Sequence, residues 1–329
     1  MAKISTMPRQ AAPAGSRMDL SDYRAELGVA VALAAMCVLF AVTVPNFLST
    51  GNFVTLLQQT SVVAIIAVGM TMVIITGEID LSVGSQVGLA GTVFAILTVK
   101  LGVPMVLSAL IVFAEAAVVG IFIGALRVVW GIPTFITTLG LLSALRGVAF
   151  FISDGITVGP MPEVIGNVWY GEFLALPVPI WVMILVVALG WLVLSTMPFG
   201  RHLYAIGGDA ETARRYGVKV WRLRIAVMVV VQLLAALGGM MLVGRLNAAS
   251  PTVGELMELD VIAAVIVGGT LLSGGKGRII GTVLGVLFVA VLRNGMVLNG
   301  IQPVIFLIAQ GTVIILAVWW SMLRGRSEP

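Results

Sequence analysis

Residues 60–99, TSVVAIIAVGMTMVIITGEIDLSVGSQVGLAGTVFAILTV, decide the fold, because two apolar runs flank one short polar turn. Glu78 and Asp80 are the only charged residues in this stretch. Each run approaches the ~20 residues that a membrane-spanning helix needs. The two carboxylates have three interpretations: catalytic acids, ion ligands, or the polar turn of a helical hairpin. Ile79 separates them and no base or metal ligand is near in sequence, which favours the turn, with Asp80 as N-cap of a helix starting at Leu81.

The same apolar pattern recurs from end to end of the 329-residue chain. Hydrophobic residues make up 60% and charged residues only 10%, whereas a soluble domain carries about 25% charged residues. The chain is therefore predicted to be an all-α polytopic membrane protein, with a domain over 27–323 between tails at 1–26 and 324–329. Ten membrane segments are predicted: 27–45, 53–77, 81–99, 104–126, 133–151, 177–197, 224–244, 260–274, 279–298 and 303–322.

The basic residues predict the orientation of these segments. With the N-terminus and C-terminus both cytoplasmic, fifteen of the nineteen Lys and Arg residues fall on the cytoplasmic side. The outside loop 152–176 carries acidic residues and no basic one, and its Trp169 and Tyr170 suit the membrane interface. The net charge of +4 thus orients the chain in membrane lipid and predicts no nucleic-acid partner.

Two stretches echo each other at an offset of 197 residues. TGEIDLSVGSQVG at 76–88 matches SGGKGRIIGTVLG at 273–285 in glycine and hydroxyl positions, and both fall at predicted cytoplasmic hairpins. Two related halves are typical of many transporters. Each copy also holds a pair of glycines four residues apart, and a third such pair occurs elsewhere in the chain. This spacing lets membrane helices pack closely. The pairs are Gly84 with Gly88, Gly281 with Gly285, and Gly120 with Gly124.

Three ionisable residues fall inside predicted segments: Glu115, Arg146 and Arg293. Such residues usually face protein or water and have a partner. Glu115 has two interpretations: the proton site of a secondary carrier, or a residue paired with a neighbouring helix or a subunit interface. Arg146 and Arg293 lie in the outer third of the membrane, from which long side chains can snorkel to the surface.

Enzymatic chemistry has little support in the sequence. His202 is the single histidine and Cys37 the single cysteine, so no catalytic triad or zinc site is predicted. SGGKGR at 273–278 lacks the earlier glycine and the Ser/Thr of a phosphate-binding loop. We therefore predict no catalytic residue, cofactor or metal.

The cytoplasmic loop 198–222, PFGRHLYAIGGDAETARRYGVKVWR, predicts one short helix over 210–216. Asp209 is its expected N-cap, and Gly217 is expected to end it. A two-turn helix isolated in water is marginal, so docking onto a partner protein would explain it. The alternative is a basic loop held at lipid headgroups.

The chain resembles the permease subunits of the ribose/xylose-type ABC importers, which are binding-protein-dependent inner-membrane components. The resemblance rests on GEIDLSVGS at 77–85, YAIGGDAETARRYGV at 204–218 and the segment 259–295, in the order found in that family. It covers most of the chain from about residue 27. Glu78 departs from the family pattern, which has glycine there; a pair with Arg127 or Lys276 is one expectation.

The resemblance implies a fold like that of the cobalamin-importer permeases and a place in a bacterial inner membrane. It implies a second permease chain, identical or related, two cytoplasmic ABC ATPase subunits and a periplasmic sugar-binding protein. It also implies that residues 208–217 form the helix coupling the permease to the ATPase, on the matching positions Gly208, Asp209, Glu211, Arg214 and Gly217. The signature and helix-packing residues are expected to be Asp80, Gly84, Gly88, Gly281 and Gly285.

The expected function is ATP-driven import of a monosaccharide or small polyol, with ATP hydrolysis in a separate subunit. The alternatives are a proton-coupled secondary carrier using Glu115, and a membrane scaffold or channel. Residues proposed as lining the path are Gln58, Gln59, Thr71 and Thr138.

Overall fold

The computed structural model describes residues 24–325, most of which are helical. A π-helical turn, Ile96–Lys100, extends α3, and a two-stranded antiparallel hairpin, β1 (Glu172–Phe173) and β2 (Leu176–Pro177), precedes α7. The predicted tails 1–26 and 324–329 lie almost wholly outside the described residues. The helices are α1 (Arg24–Thr43), α2 (Thr50–Ile75), α3 (Val83–Ala95), α4 (Met105–Val129), α5 (Thr134–Ser153), α6 (Glu163–Tyr170), α7 (Val178–Thr196), α8 (Pro198–Arg215), α9 (Val220–Leu246), α10 (Met257–Val267), α11 (Ile279–Leu298) and α12 (Pro303–Gly325).

The prediction of a multi-pass helical membrane protein is confirmed. Within residues 24–325, eight helices are long and apolar enough to span a membrane: α1, α2, α3 with its π turn, α4, α5, α7, α9 and α11. They correspond to eight of the ten predicted segments. Segment 303–322 falls on α12, whose described apolar part is Val304–Leu316.

The predicted segment 260–274 does not form a spanning helix. It contains α10, which has 11 residues and is therefore about 16 Å long, roughly half of a hydrocarbon core. Turns occupy 268–278 after it, where Gly269, Gly274 and Gly275 have positive φ. The chain before it, 247–256, is also irregular, because Asn247, Gly254 and Leu256 adopt positive φ. Hydropathy identified the apolar residues but not these backbone breaks.

Helix α2 lies at the centre of the bundle and packs on α7, α9, α10 and α11. Its second half is buried on all sides, with Ile65, Ile66 and Ile74 fully enclosed. A helix that is hydrophobic all round is typical of this position. Gly69 lies directly against the backbone of Val231 in α9, so the two helices approach closely here.

Helices α4 and α9 make the most extensive pairing in the bundle. Gly120 and Gly124 of α4 lie against the backbone of Val229 and Ile225 in α9, where any side chain would collide. The close helix packing predicted from this glycine pair is confirmed. In lipid such contact stabilises a helix pair mainly through van der Waals packing.

The peripheral helices α1, α4, α5 and α7 expose large apolar side chains, as a lipid-facing surface requires. The predicted outside loop 152–176 contains α6 and most of the hairpin. Tyr170 is exposed and donates to the carbonyl of Arg245 at 2.9 Å. Trp169, by contrast, is only 3% exposed, because α6 folds back and packs it on the core, so its side chain does not face lipid.

Candidate functional site

Asp80 is fully buried in the hairpin between α2 and α3. Its carboxylate accepts from the Ser82 N–H at 2.8 Å, the Ser82 hydroxyl at 2.6 Å and the Gln232 amide of α9 at 2.7 Å. The predicted N-cap role is wrong, because α3 begins at Val83 and Ser82 occupies the cap position. Asp80 instead closes a local turn and joins it to α9, a type of contact that aspartate favours in turns.

Glu78 lies in the same turn with its side chain 5% exposed. Its carboxylate accepts from Arg127 Nε of α4 at 2.7 Å and from the Thr134 hydroxyl of α5 at 2.9 Å. Arg224 Nε of α9 lies 3.3 Å from the same carboxylate. The expected pair with Arg127 is confirmed, whereas Arg224 was not predicted. Glu78 therefore joins the ends of three helices to one turn.

The first hairpin is also fixed to α5 through its backbone. The Leu81 N–H donates to the Thr138 hydroxyl at 3.0 Å, and the Ile79 N–H donates to the Thr134 hydroxyl at 3.4 Å. Thr138 is fully buried, and so is Thr71, whose hydroxyl lies 2.7 Å from that of Thr282. Both hydroxyls are enclosed between helices of this chain, and the role of Thr71 and Thr138 in lining the path stays a prediction.

The two echoed stretches meet in space. The Gly275 N–H donates to the carbonyl of Ile75 at 2.9 Å, and Gly77 lies next to the carbonyl of Ser273. At the offset of 197, however, α2 corresponds to 247–272, where the chain is a loop followed by the short α10. The two stretches therefore share their hairpins and following helices but differ in the helix before.

The two glycine pairs of the echo have different surroundings. Gly281 and Gly285 of α11 lie against carbonyls at the end of α10, those of Gly268 and Ala264. This is a contact between two helices. Gly84 lies instead beneath the Glu258 carboxylate and the carbonyl of Gly254.

Gly88 belongs to the same pair as Gly84. This pair was expected to pack against another helix, but it packs against a loop and a side chain. It lies beneath the guanidinium of Arg146 and the carbonyl of Val253. Arg146 donates to the carbonyls of Pro251, Val253 and Gly84. The predicted snorkelling of Arg146 is therefore wrong, since its donors hold the irregular segment 247–256 onto α3.

The other charged residues within the bundle also have protein partners. Glu115 accepts from the Gln86 amide at 2.8 Å, in agreement with the pairing interpretation. Arg293 lies 2.9 Å from Asp260 of α10, and its guanidinium covers the ring of Phe306 at 4.3 Å. The Arg293 side chain is nevertheless 46% exposed, so this ion pair does not contradict the predicted snorkelling, which stays a prediction.

Helix α8 covers most of the predicted loop 198–222. Its helical residues before Asp209 were not predicted from the sequence. Pro198 at its first turn was the available signal, because proline favours that position. The helix is interrupted at Asp209, whose φ of −158° and ψ of 104° are not helical. A separate short helix, 210–215, follows the interruption.

The predicted caps of this short helix are confirmed. The Asp209 carboxylate accepts from the N–H groups of Glu211 at 2.9 Å and Thr212 at 3.2 Å, and from the Thr212 hydroxyl at 2.6 Å. At the other end Gly217 has a φ of +86°, and the Val218 N–H returns to the carbonyl of Ala213 at 3.1 Å. Backbone N–H groups at the start of the helix and a backbone carbonyl at its end thereby have hydrogen-bond partners within the chain.

The hydrogen bond from the Thr212 hydroxyl lowers the pKa of Asp209 below its ordinary value, with backbone N–H bonds adding to the effect. A carboxyl with a lowered pKa contributes its stabilisation above its unfolded pKa, about 3.9, and loses it as the pH falls through the folded value. The cap is therefore ionised and formed across the neutral range.

The short helix presents a charged surface and buries one side. Ala213 packs with Ile206 and Val220, whereas the side chains facing away from the protein are exposed. Among the expected coupling residues, Gly208, Asp209, Glu211, Arg214 and Gly217 are all exposed. We call residues 208–217 the coupling segment.

The coupling segment is joined to both echoed hairpins through Gly207. A side chain on Gly207 would collide with the carbonyl of Ile75 and with the N–H of Gly275. The Tyr204 hydroxyl also donates to the carbonyl of Gly277 at 2.7 Å. Backbone atoms therefore meet at one point from three elements: the end of α2, α8 at Gly207, and the turn before α11. We call this contact the glycine junction.

The bundle is that of a polytopic membrane protein, and sequence comparison identifies its family. Residues 52–318 match the model of a family described as the branched-chain amino acid transport system/permease component, and the chain belongs to this family. It is a multi-pass membrane transport subunit.

Curated relatives cover nearly the whole chain. It is 38% identical to the ribose import permease protein RbsC of Haemophilus influenzae, over 92% of this chain and 95% of the relative. It is 39% identical to the ribose import permease protein RbsC of Escherichia coli, over 92% and 96%. It is 33% identical to the xylose transport system permease protein XylH of Escherichia coli, over 91% of each chain. No solved structure matches the chain significantly.

Proposed function

We propose that this chain is the membrane-spanning subunit of an ATP-driven importer for a monosaccharide or a related small polyol. The observation that carries the proposal is the identity of 38–39% to ribose import permeases over 92% of the chain. The family description names branched-chain amino acids, but the relatives that cover the chain this fully are named for ribose and xylose. The sugar is delivered by a periplasmic binding protein to a permease in the bacterial inner membrane.

The proposed orientation places both termini and the coupling segment in the cytoplasm. The positive-inside distribution supports it, because Arg214, Arg215, Lys219 and Arg222 all belong to the region that would face the cytoplasm. Two ATPase subunits dock there, one on the coupling segment of each of two permease chains, identical or related. ATP binding and hydrolysis in those subunits drive alternating access.

The coupling segment is suited to this docking because it is already formed. Its helix is capped at both ends, rests on Ala213, and exposes Glu211 and Arg214 to a partner. A preformed helix loses little conformational entropy on binding.

A proton-coupled carrier using Glu115 is the alternative that the structure makes testable. The Glu115 Oε1 atom is buried without a hydrogen-bond partner in the described structure, whereas Oε2 is bound by Gln86. Glu115→Gln keeps the shape of the side chain and removes its exchangeable charge. ATP-driven import is expected to survive this substitution, and proton-coupled uptake is not.

The test is uptake by proteoliposomes that contain the permease with the ATPase and binding protein encoded beside it. Labelled ribose and xylose are expected to accumulate with ATP, not with ADP, and accumulation is expected to resist an uncoupler. Labelled leucine is the control. Leucine uptake without sugar uptake would contradict the substrate class, and uptake that needs no ATPase and collapses with an uncoupler would contradict the mechanism.

A further inference from the structure

A cleft of about 520 Å³, lined by both apolar and polar side chains, lies between α3, α5 and the segment 252–258. This volume is within the range of about 300–1,000 Å³ usual for small-molecule sites. We call it the midplane cleft. Its polar lining comes from Ser85, Ser143, Arg146, Thr252, Glu255 and Glu258.

The position of the cleft follows from α5, which begins at Thr134 and contributes Leu142 to Phe150 to the lining. At 1.5 Å per residue, these residues lie about 12–24 Å along the helix. The hydrocarbon core of a bilayer is about 30 Å thick. The cleft therefore extends from the middle of the membrane into its outer half.

Several polar side chains of the cleft are exposed at this depth. Ser143, Thr252 and Glu255 are all exposed in the single chain. A carboxylate in the middle of a bilayer is costly against lipid, so such residues face water or protein. This face therefore differs from the apolar outer faces of α1 and α7, which suit lipid.

Glu258 is the buried polar group of the cleft. It is 6% exposed, and its Oε2 has no hydrogen-bond partner in the described structure. A buried, unpaired carboxylate oxygen costs free energy and is expected to have a ligand or water as partner. Glycine at position 84 leaves the space that this carboxylate occupies.

The backbone before Glu258 is irregular and lies against the cleft. The irregular segment 247–256 ends at Leu256 with a φ of +61°, and α10 begins at Met257. Arg146 holds the segment by donating to its carbonyls. Irregular backbone at membrane depth is tolerated only where it is buried in protein or lines a water-filled cavity.

We propose that the midplane cleft is where the sugar contacts this chain during transport, an inference that rests on the proposed function. Hydroxyl groups of the sugar donate to the carboxylates of Glu255 and Glu258, and Leu142 and Phe150 contact its apolar faces. The only cation among the described lining residues is Arg146, whose guanidinium already binds backbone carbonyls. The cleft therefore selects a neutral polyhydroxylated ligand over an anion or an amino acid.

The test uses cysteine labelling in the complete importer, in a Cys37→Ser background that removes the single native thiol. Ser143→Cys and Thr252→Cys place thiols in the cleft. Leu185→Cys, on the exposed apolar face of α7, is the matched lipid-facing control. A membrane-impermeant cationic thiol reagent is applied with and without ribose, with leucine as the control ligand. Both cleft thiols are expected to react at least about tenfold faster than the control, and ribose alone is expected to slow them.

Two results would overturn the inference while leaving the proposed function intact. One is a lack of reaction at both cleft positions in a complex that transports ribose, which means that protein covers the cleft. The other is reaction that ribose does not slow, which means that the cleft is wet but is not on the sugar path. Failure of the wild-type complex to transport any sugar would instead refute the proposed function.

A second measurement tests the carboxylate itself. Glu255→Gln in the same complex is expected to lower the ratio kcat/KM for ribose about tenfold, because a hydrogen bond to a charged group is typically worth that factor. Unchanged kcat/KM would remove Glu255 from the proposed contact, and with unprotected thiols it would reject the cleft as a sugar site.

Discussion

A single carboxylate, Glu78, organises the turn that follows the central helix. Burial of a charge is costly unless it is paired, and Glu78 has two guanidinium neighbours and a hydroxyl donor. Through these contacts the charge of Glu78 fixes the turn to α4, α5 and α9.

Glu78→Gln is expected to destabilise the protein, because it leaves Arg127 and Arg224 close together without a counter-charge. Removing one partner of a buried pair costs about 3–5 kcal/mol, and the value here is expected at the lower end, since the two arginines are 25% and 20% exposed. Thermal unfolding in detergent measures it as a lower Tm.

Glu211→Gln is the matched control for this prediction. Glu211 pairs with Arg215 at 3.5 Å on the surface, where such pairs are worth at most about 1 kcal/mol. An equal Tm for Glu78→Gln and the wild-type protein would show that the buried cluster contributes nothing to stability.

At the scale of one element, the short helix 210–215 is stabilised mainly by the caps at its two ends and by the face that packs on the protein. Two turns of helix do not form alone in water. Here Asp209 satisfies the first N–H groups, Gly217 allows the chain to turn back, and Ala213 packs on Ile206. Each contribution is local, which explains why the sequence predicted this helix.

Asp209→Ala is expected to weaken ATPase binding and transport without affecting membrane insertion, because it removes the cap. Asp209→Ser is the matched control, since serine is also a good N-cap and should retain much of both activities. Asp209→Lys should be worse than alanine, because it also opposes the helix dipole. Co-purification of the ATPase and uptake by proteoliposomes measure the effect.

Because the pKa of Asp209 is lowered, the difference between wild type and Asp209→Ser should be constant from pH 6 to pH 8. Full ATPase binding by a stably inserted Asp209→Ala protein would argue against the role of this helix in coupling.

At the scale of the whole molecule, the glycine junction connects the surface helix to the centre of the bundle. Gly207 contacts the end of α2 and the turn before α11 through backbone atoms alone. Because closely packed interiors transmit strain, we expect a displacement of the coupling segment to be passed on to both hairpins. Those hairpins carry the buried charges and the glycine faces described above.

Gly207→Ala is expected to separate ATP hydrolysis from transport, because its methyl group would collide with Ile75 and Gly275. Gly208→Ala is the matched control, as nothing lies within 4 Å of a side chain at that position. Uptake per ATP hydrolysed should fall severalfold in Gly207→Ala and stay near the wild-type ratio in Gly208→Ala. Equal ratios in the two variants would show that the junction does not transmit the motion.

Properties that depend on nearby residues were predictable from the sequence. Membrane spans follow from runs of apolar residues, and the caps of 210–215 from hydrogen bonds that reach two or three positions along the chain. The pair of Glu78 with Arg127 was among the expected alternatives. The partners of Arg146 were not, because Pro251 lies 105 residues away and an unremarkable loop supplies its carbonyl.

The sequence alone therefore determined the membrane class, eight helices long and apolar enough to span a membrane, and the capped surface helix, since hydropathy and local hydrogen bonding depend on residues within one stretch of chain. The tertiary structure decided that α10 is short, that Arg146 turns inward, and that Arg224 reaches Glu78. It also brought Gly207 against Ile75 and Gly275. These contacts join residues far apart in sequence, so they depend on how the helices pack and leave no periodic pattern in the chain.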